Sequence, residues 1–173
     1  VKQIACTRKT TWGLLDKWAV HLGGGLTHRL NREDALMIKE NDLAAMDDAS
    51  SDNNERIAKF IQEIDLEQLN SFLEIEVRTE KEAITAAAIW QNTHGESGHK
   101  AVIMLDNFGP EKSKQVVSQL EDMGLRDAVY LEASGNITHE KLDQWFECGI
   151  DVLSTSAINR GVKPLDMSMI FGD

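Results

Sequence analysis

Short apolar runs recur along the chain, separated by longer stretches in which apolar residues are spaced as in helices. Five such runs occur at residues 35–38, 72–77, 101–105, 128–131 and 151–154, and their starts lie 37, 29, 27 and 23 residues apart. This spacing is typical of repeated strand–helix units. Because the runs are nearly continuous in apolar residues, we expect parallel strands covered by helices.

The stretches between the runs contain helix signals. Asp52 or Ser51 can cap a helix whose apolar stripe is formed by Ile57, Phe60, Ile61 and Ile64. Further helix boundaries are indicated by two start signals, Pro110 and Thr138, and by two stop signals, Gly124 and Gly149. We expect Leu142, Trp145 and Phe146 to form the apolar side of the helix after Thr138. The polar residues 91–99 predict a surface loop with two solvated histidines.

One α/β domain over residues 1–173 accounts for this pattern. Five or six parallel strands with interleaved helices form either an open doubly wound sheet or a barrel. We favour a (β/α) barrel with parallel strands that is incomplete, with fewer than eight strands. In both architectures ligands bind at the carboxyl ends of the strands, so the residues that follow each run are the candidates for chemistry.

Composition restricts the class of protein. With 173 residues, 42% of them hydrophobic, the chain can bury one sizeable core. It has no run near the roughly 18 apolar residues of a membrane span, and Cys6 and Cys148 fit neither a disulfide framework nor a zinc site. We therefore expect a cytoplasmic protein without a membrane partner. Because the chain opens at Val1 directly into an apolar-polar run, we also expect it to be part of a longer protein.

The charge is unevenly distributed. A net charge of −11 argues against nucleic acid as a partner, because duplex binding requires a basic face. Residues 1–41 contain seven Lys and Arg against four Asp and Glu, a net of +3, which leaves −14 for the remainder. Either these cations are scattered over a solvated surface, or they form a local site for a small anion.

Polar residues stand at the ends of the predicted strands. Lys39 follows the first run, Glu74 and Glu76 lie in the second, and Asp106 follows the third. Any one of these charges could be a solvated strand end or a helix cap, but together they indicate a site. Small residues end the last two runs and can offer N–H and hydroxyl groups to a phosphate: Ser134, Gly135, Asn136, Ser154, Thr155 and Ser156.

Two carboxylates are placed to act together. Glu76 and Asp106 come from neighbouring strands, where they could hold magnesium, bind ribose hydroxyls or stabilise a developing cation. Glu74 points to the same face as Glu76 because the two are separated by one residue. Glu76 is the better candidate, since it is nearer the carboxyl end, and Glu74 could serve as a buried ion-pair partner.

The first 41 residues contain the most specific pattern. Five groups there can bind a dianion: Arg8, Lys9, His28, Arg29 and Lys39. Arginine suits a carboxylate through its planar fork, and lysine does so as a point charge. The three glycines at 23–25 either allow the backbone to approach a neighbour closely or form a plain turn.

Seven ordered motifs resemble the nicotinate-nucleotide pyrophosphorylases, also called quinolinate phosphoribosyltransferases. They are Thr7-Arg8-Lys9-Thr10-Thr11, Gly23-Gly24-Gly25 with His28-Arg29, Met37-Ile38-Lys39-Glu40-Asn41, Glu74-Ile75-Glu76-Val77, Leu105-Asp106-Asn107-Phe108, Glu132-Ala133-Ser134-Gly135 and Asp151-Val152-Leu153-Ser154. The resemblance covers nearly the whole chain. It implies an enzyme of de novo NAD biosynthesis that converts quinolinate and phosphoribosyl pyrophosphate into nicotinate mononucleotide, pyrophosphate and carbon dioxide, with Mg²⁺ as cofactor.

The resemblance also implies residue roles. Arg8, Lys9, His28, Arg29 and Lys39 would line the quinolinate pocket, with Lys9 or Lys39 stabilising a carbanion on the ring. Phosphoribosyl pyrophosphate and its magnesium would face Glu76, Asp106, Ser134 and Gly135, and Asn136, Thr155 and Ser156 fall in the same phosphate region. The family has an N-terminal domain that is absent here and that packs beside the barrel of a second subunit, so the full-length protein would be at least a dimer.

Four positions depart from the family pattern: Trp12 in place of proline, Asp42 in place of histidine, Asn136 in place of glycine and Ser156 in place of glycine. Asparagine tolerates the left-handed backbone well, so the loop at Asn136 should be preserved. Two alternatives remain open: a sister phosphoribosyltransferase for another aromatic acid, of the kind associated with molybdenum-transport operons, and a non-catalytic barrel that binds a phosphoribosyl group. A phosphosugar aldolase or isomerase barrel fits the five cations less well.

Overall fold

A computed structural model describes residues 3–46, 52–160, 162–163 and 165–171. Its centre is one six-stranded sheet in which every pairing is parallel and the spatial order is β1-β6-β5-β4-β3-β2. The strands are β1 (Gln3–Cys6), β2 (Leu36–Ile38), β3 (Leu73–Val77), β4 (Ala101–Asp106), β5 (Val129–Ser134) and β6 (Val152–Thr155).

Helices alternate with the strands, as the spacing of the apolar runs predicts. They are α1 (Leu14–Leu22), α2 (Glu40–Ala45), α3 (Asn53–Glu63), α4 (Glu80–His94) and α5 (Gly109–Asp122), with short 3₁₀ helices at Leu66–Gln68, Arg126–Ala128 and His139–Trp145. Each of the five apolar runs contains or overlaps a strand, although the strand boundaries shift by one to three residues. The sixth strand, β1, is the short apolar-polar run that opens the chain.

The sheet curls towards a barrel but does not close. β1 and β2 lie at its two edges, and one isolated bridge, between Ala5 and Leu26, is formed on the open side of β1 among the described residues. An incomplete barrel with fewer than eight strands, as expected, is therefore confirmed. The consequence for the site is that β1 and β2, although neighbours in sequence, face each other across a gap.

The main core lies between the sheet and the helices outside it. Side chains on the outward face of β3 and β4, including Ile75 and Ile103, are fully buried against α3, α4 and α5. The largest contributor from a helix is Trp90 of α4, which is 1% exposed. Alternate residues of the same strands point away from this core, into the barrel, where the polar residues lie.

Several helix boundaries agree with the sequence signals. The Asp52 side chain accepts a hydrogen bond from the Glu55 backbone N–H at 3.0 Å, and Pro110 lies in the first turn of α5. Ser51, the other proposed cap, lies outside the described residues. Gly124, just after α5, has a φ angle of 68°, which glycine adopts without steric cost. Gly149 has a φ angle of 72°, but it lies four residues beyond the end of the 3₁₀ helix at Trp145 and so does not mark a helix end.

Two local predictions were wrong. Residues 91–94 belong to α4, which continues to His94 because the His94 ring packs on Trp90 at 4.8 Å and its nitrogen lies 2.7 Å from the Ile61 carbonyl oxygen. The loop begins only at Gly95. The segment after Thr138 is a 3₁₀ helix without a side-chain cap, and Phe146 at its end is exposed instead of packed.

The glycine run at 23–25 is explained by packing. Gly23 follows α1, and the backbone then turns back so that the Leu26 N–H donates to the Ile4 carbonyl oxygen at 2.8 Å. A Cβ atom on Gly25 would lie 2.8 Å from a methyl group of Val20, closer than packing allows. The close packing at Gly25 therefore allows the chain to pass between α1 and β1, and none of the three glycines lines the cleft that opens at the carboxyl edge of the sheet.

Helix α1 presents an apolar face to solvent. Its exposed side chains, with the preceding tryptophan, are Trp12, Leu14, Leu15, Trp18 and Leu22, and Trp12 is 72% exposed. By contrast, Lys17 and Val20 on the same helix are buried. In the described part of the chain the longest helix has 15 residues, and no helix there has both the length and the apolar character needed to cross a bilayer.

Candidate active site

Strand register brings the inward-facing polar residues into rows across the sheet. Asp106 of β4 is aligned with Ser134 of β5, which is aligned with Ser154 of β6. One step deeper, Glu76 is aligned with Met104, and Met104 with Glu132. Because all strands are parallel, the row formed by Asp106, Ser134 and Ser154 lies at the carboxyl edge, where barrels bind their ligands.

A cleft of about 250 Å³ opens at this edge. It is lined by Thr7, Arg8, Lys9, His28, Arg29, Met37, Lys39, Glu76, Met104, Asp106, Ser134 and Ser154. All five cations predicted from the sequence are among these residues, together with both predicted carboxylates. Four of the seven Lys and Arg residues in the first 41 positions, together with His28, thus line one cleft in an acidic chain, and these five groups are not scattered over the surface.

The cations reach the cleft from three short segments. Arg8 and Lys9 follow β1, His28 and Arg29 follow the glycine turn, and Lys39 directly follows β2. None of these segments is regular secondary structure, so each needs local support. Hydrogen bonds to the backbone carbonyls of these segments provide part of it.

Lys17 and Asn159 provide these bonds. Lys17, which is 4% exposed, donates from Nζ to the Thr27 carbonyl oxygen at 2.6 Å and to the Cys6 carbonyl oxygen at 3.3 Å. Asn159 donates from Nδ2 to the Lys9 carbonyl oxygen at 3.1 Å. Lys17 therefore joins the end of β1 to the residue before His28.

Arg29 is a buried cation held by neutral partners. Its guanidinium donates to the Ala35 carbonyl oxygen at 3.3 Å and lies 3.0 Å from the Met37 sulfur. Burial lowers the pKa of Arg29, and the nearby positive charge of Arg8 lowers it further. Among the described residues no ion pair involves Arg29. A guanidinium in this environment favours an anionic ligand.

Lys39 pairs with Glu76 across the β2–β3 boundary. The position of Lys39 is set by Asp42, whose carboxylate accepts a hydrogen bond from the Lys39 backbone N–H at 2.9 Å at the start of α2. Asp42, one of the departures from the family pattern, thus acts on the backbone of a predicted catalytic residue. Trp12, another departure, does not line the cleft.

His28 has a strained backbone and two acidic partners. Its φ angle is 52°, in the left-handed region that non-glycine residues seldom occupy. Its Nε2 atom lies 3.2 Å from Oε2 of Glu132 and 3.3 Å from Oε2 of Glu74. Burial lowers the pKa of His28, but the hydrogen bonds to Glu132 and Glu74 and the charges of both outweigh it, so the pKa rises from 6.5 to about 9.

Glu74 and Glu132 lie behind this histidine. Both are nearly inaccessible to solvent, and neither lines the cleft. Burial raises the pKa of Glu74 from 4.5 to about 6, against the opposing effect of the His28 hydrogen bond. The suggestion that Glu74 is a buried ion-pair partner agrees with this geometry.

The phosphate-loop candidates are divided between two places. Ser134 lines the main cleft, whereas Gly135 and Asn136 line a neighbouring cavity of about 190 Å³ at the start of α5. Asn136 has a φ angle of 52° and donates from Nδ2 to Oδ1 of Asn107 at 3.0 Å, so asparagine is accommodated there as expected. These positions remain predictions as phosphate ligands.

Thr155 and Ser156 do not line the main cleft. The Thr155 hydroxyl is buried, donates to the Ile137 carbonyl oxygen at 2.6 Å and accepts from the Ala157 N–H at 3.0 Å. The Ser156 carbonyl oxygen accepts from the Arg160 N–H at 2.7 Å. Their predicted contact with phosphate is untested, and the Thr155 side chain already has two partners.

Several residues in or next to the site lacked a predicted role. Met37 and Met104 form the apolar wall of the cleft, Glu132 contacts His28, and Lys17 supports the backbone before it. The two-residue alternation with Ser134 could have placed Glu132 inside the barrel. Lys17, on an otherwise amphipathic helix, offered no comparable signal.

The fold and the cleft together define an incomplete α/β-barrel protein with a cleft rich in cationic side chains at the carboxyl edge of its strands. The family described as quinolinate phosphoribosyl transferase, C-terminal domain, matches residues 1–170. The chain therefore belongs to this family.

Relatives and solved structures agree with this assignment. The chain is 34% identical over 169 residues, 96% of its length, to a probable nicotinate-nucleotide pyrophosphorylase [carboxylating] of Methanothermobacter thermautotrophicus, and 33% identical over 175 residues to the chloroplastic enzyme of Arabidopsis thaliana. It covers 55% and 47% of these two proteins, so it spans about half the length of its curated relatives. Among solved structures, NadC from Streptococcus pyogenes superposes with a TM-score of 0.74 at 30% identity, over 98% of this chain and 53% of that one.

Proposed function

We propose that this chain is the catalytic domain of a quinolinate phosphoribosyltransferase, which makes nicotinate mononucleotide in de novo NAD biosynthesis. The observation that carries the proposal is the convergence of Arg8, Lys9, His28, Arg29 and Lys39 on one cleft that also holds two carboxylates. Quinolinate has two carboxylates of its own, and phosphoribosyl pyrophosphate is a polyanion. Five cations suit this pair of substrates.

The diacid end of the cleft is formed by the segments around β1 and β2. Arg29 offers a fork without an anionic partner among the described residues, and His28 beside it is held as a cation. These two groups, with Arg8, would bind the quinolinate carboxylates. The sulfur-containing wall of Met37 and Met104 would lie against the aromatic ring.

The opposite end of the cleft suits the ribose. Glu76 and Asp106 come from β3 and β4, and Ser134 and Ser154 flank them on β5 and β6. As the bond from C1 of the ribose to pyrophosphate breaks, these carboxylates would stabilise the oxocarbenium-like carbon. The pyridine nitrogen then forms the new bond to C1.

Decarboxylation completes the reaction. Once the ring nitrogen carries the ribosyl group, the bond to the 2-carboxyl group breaks, carbon dioxide leaves, and its electron pair remains on the ring carbon. Lys9 or Lys39 would stabilise that carbanion by its charge, and one proton added at this carbon gives nicotinate mononucleotide. Pairing with Glu76 keeps the Lys39 ammonium group at the cleft until substrate arrives.

Mg²⁺ fits the oxygen donors of this site. Asp106 lines the cleft, has no ion-pair partner among the described residues, and comes from the strand next to that of Glu76. Asp106 and Glu76 would hold the ion directly or through water. When bound, the ion would neutralise charge on the departing pyrophosphate.

The remaining expectations concern the full-length protein. We propose that an N-terminal domain completes the active site of a second subunit, so that the working enzyme is at least a dimer, in the cytoplasm. The length of the relatives, of which this chain spans about half, supports a further domain, and the dimer and the location rest on the family resemblance.

The test is turnover by the full-length protein with Lys39→Ala beside wild type. We expect Lys39→Ala nearly to abolish nicotinate mononucleotide formation from quinolinate, whereas Lys59→Ala, an exposed lysine on α3, should leave it unchanged. Lys39→Ala activity within a few-fold of wild type would contradict the role given to Lys39.

The choice of acid separates the alternatives. Wild-type turnover of another aromatic acid in preference to quinolinate would indicate the sister transferase. Tight binding of phosphoribosyl pyrophosphate without any product would indicate a binding barrel.

A further inference from the structure

His28 forms a partition inside the barrel. On one side of it lies the cleft at the carboxyl edge, and on the other lies a cavity of about 610 Å³ that is lined by His28, Glu132 and Asp151 together with mainly apolar residues. Glu74 and Glu132 approach the same ring nitrogen from β3 and β5. The histidine therefore faces the ligand space while its two acidic partners remain behind it.

We propose that Glu74 and Glu132 are positioning residues of the diacid pocket: together they fix Nε2 of His28 and hold its ring as a cation at the floor of the cleft. This inference rests on the proposed function and adds to it two residues that touch no substrate. The role explains why two carboxylates are buried inside the barrel.

Glu74 and Glu132 are 0% and 2% exposed, yet both carboxylate oxygens of Glu74 and Oε1 of Glu132 have no hydrogen-bond partner among the described residues. Their charges are therefore compensated mainly by the nearby His28 ring. An uncompensated carboxylate is unfavourable in a buried site, so two carboxylates that share one imidazole favour the protonated, charged form of that imidazole. His28 and Arg29 then face the cleft as cations, and the two glutamates lie behind them as anions, so the net charge of the four groups is zero.

The other charges around His28 do not replace this pair. The cleft side is dominated by positive charge, from Arg8, Lys9, Arg29 and Lys39 against Glu76 and Asp106. On the opposite side Asp151 is bound to Arg126 at 2.7 Å. Without Glu74 and Glu132, these surroundings would favour the neutral ring, and the pocket would lose one of its cations at neutral pH.

A metal ion is the competing occupant of the same three groups. One ligand atom from each of His28, Glu74 and Glu132 lies within 4.8 Å of the others. A metal would replace the proton on Nε2, whereas the proposed role requires that proton. The two therefore differ in a measurable way.

The first measurement is an NMR titration of the His28 ring in the labelled full-length protein, with the signal assigned through His28→Gln. We expect the wild-type ring to remain charged through pH 8 and the Glu132→Gln ring to lose its proton at least about one pH unit lower. Glu82→Gln removes a buried carboxylate that caps α4 away from His28, and it should leave the titration unchanged.

The second measurement is the quinolinate KM of the same proteins at pH 6 and pH 8.5. For Glu132→Gln we expect a KM near wild type at pH 6 and about tenfold higher at pH 8.5, because protonation restores the cation at low pH. The KM for phosphoribosyl pyrophosphate should not change. In a His28→Gln background, Glu132→Gln should have little further effect, and Glu74→Gln should behave as Glu132→Gln does.

Three outcomes would overturn the proposal. They are an unchanged His28 titration in Glu132→Gln, an equal rise of the quinolinate KM at both pH values, and one bound zinc per chain that is lost in Glu132→Gln. Failure of the proposed function looks different, since wild type would then give no product from quinolinate at any pH. In that case the titration would still decide whether the two glutamates keep His28 charged.

Discussion

The central strands β3, β4 and β5 carry acidic side chains in and behind the cleft, whereas the segments next to the marginal strands β1 and β2 carry its cations. Glu74, Glu76, Asp106 and Glu132 all belong to the centre, whereas Arg8, Lys9, His28, Arg29 and Lys39 all belong to segments next to the margins. The two regions also differ in packing. The centre carries the buried core, and the first margin carries the exposed apolar face of α1.

This difference separates stability from ligand binding. Buried apolar area, the main source of folding free energy, is concentrated in the centre and in the helices that cover it. The margins hold cations close together on irregular segments, which is unfavourable until an anion arrives. Substitutions in the two regions should therefore affect different measurements.

The tryptophans give the sharpest contrast. Trp90→Ala should lower the free energy of unfolding by about 3–5 kcal/mol, because it opens a cavity beneath β3 and β4. Trp18→Ala, at a side chain 60% exposed on α1, should change it by less than about 0.5 kcal/mol. Urea unfolding of the 173-residue chain measures both. Equal effects would refute the separation.

Arg29 tests the margins as the ligand-binding region. Arg29→Ala in the full-length protein should weaken quinolinate binding by about 2–3 kcal/mol, or roughly 30- to 150-fold, since it removes a charge-assisted fork. Arg32→Ala, at an exposed arginine nearby, is the matched control. Asp106→Asn, from the centre, should instead weaken magnesium-dependent binding of phosphoribosyl pyrophosphate. Calorimetric titration of each substrate would show whether the two effects separate.

His28 is where the two regions meet, and it should make stability depend on pH. Because folding raises the pKa of His28 from 6.5 to about 9, its stabilising contribution is complete below about pH 6.5 and is lost as the pH rises through 9. The raised pKa of Glu74 acts in the same direction at lower pH. Urea unfolding should show a loss of roughly 1–3 kcal/mol between pH 6 and 9.5, and a smaller loss in Glu132→Gln. A free energy of unfolding that does not change over this pH range would contradict the charged contact of His28 with Glu74 and Glu132.

Asp42 should have the smallest effect. Asp42→Ala removes the cap on the Lys39 backbone N–H and should destabilise the protein by about 0.5–1.5 kcal/mol, with a modest rise in KM as Lys39 loses its support. Asp42→Asn retains a hydrogen-bond acceptor, so its stability and its KM should both lie close to those of wild type. An unchanged stability of Asp42→Ala would show that the contact is not needed.

The fold was largely predictable because the central strands are marked by their own composition. Apolar residues identify β4, where they are continuous up to Asp106, and β3, where they alternate with Glu74 and Glu76, and both strands are buried on the helix side. The short strand β1 gives no such signal, since Gln3 is exposed and only four residues pair. The gap between β1 and β2 depends on strand number and curvature, and no local pattern specifies these.

The candidate site was predictable in its residues but not in its contacts. Five cations could be identified because their types suit anions, and the cleft contains all of them. The partners of His28 could not be identified, because its left-handed φ angle of 52° decides where the ring points. Lys17 was missed for a similar reason, since its role depends on two backbone carbonyls that lie far from it in sequence.

The outer edges of β1 and β2, which are not paired with each other in the described sheet, have a dynamic consequence. No continuous strand pairing joins β1 to β2 among the described residues. A substrate bound by Arg8 next to β1 and by Arg29 and Lys39 next to β2 would connect these two margins. Occupancy should therefore slow amide hydrogen exchange mainly in the two marginal strands, while the central strands, already the last to open, change little. Bound ligand would therefore hold together the two edges of the sheet that strand pairing leaves apart.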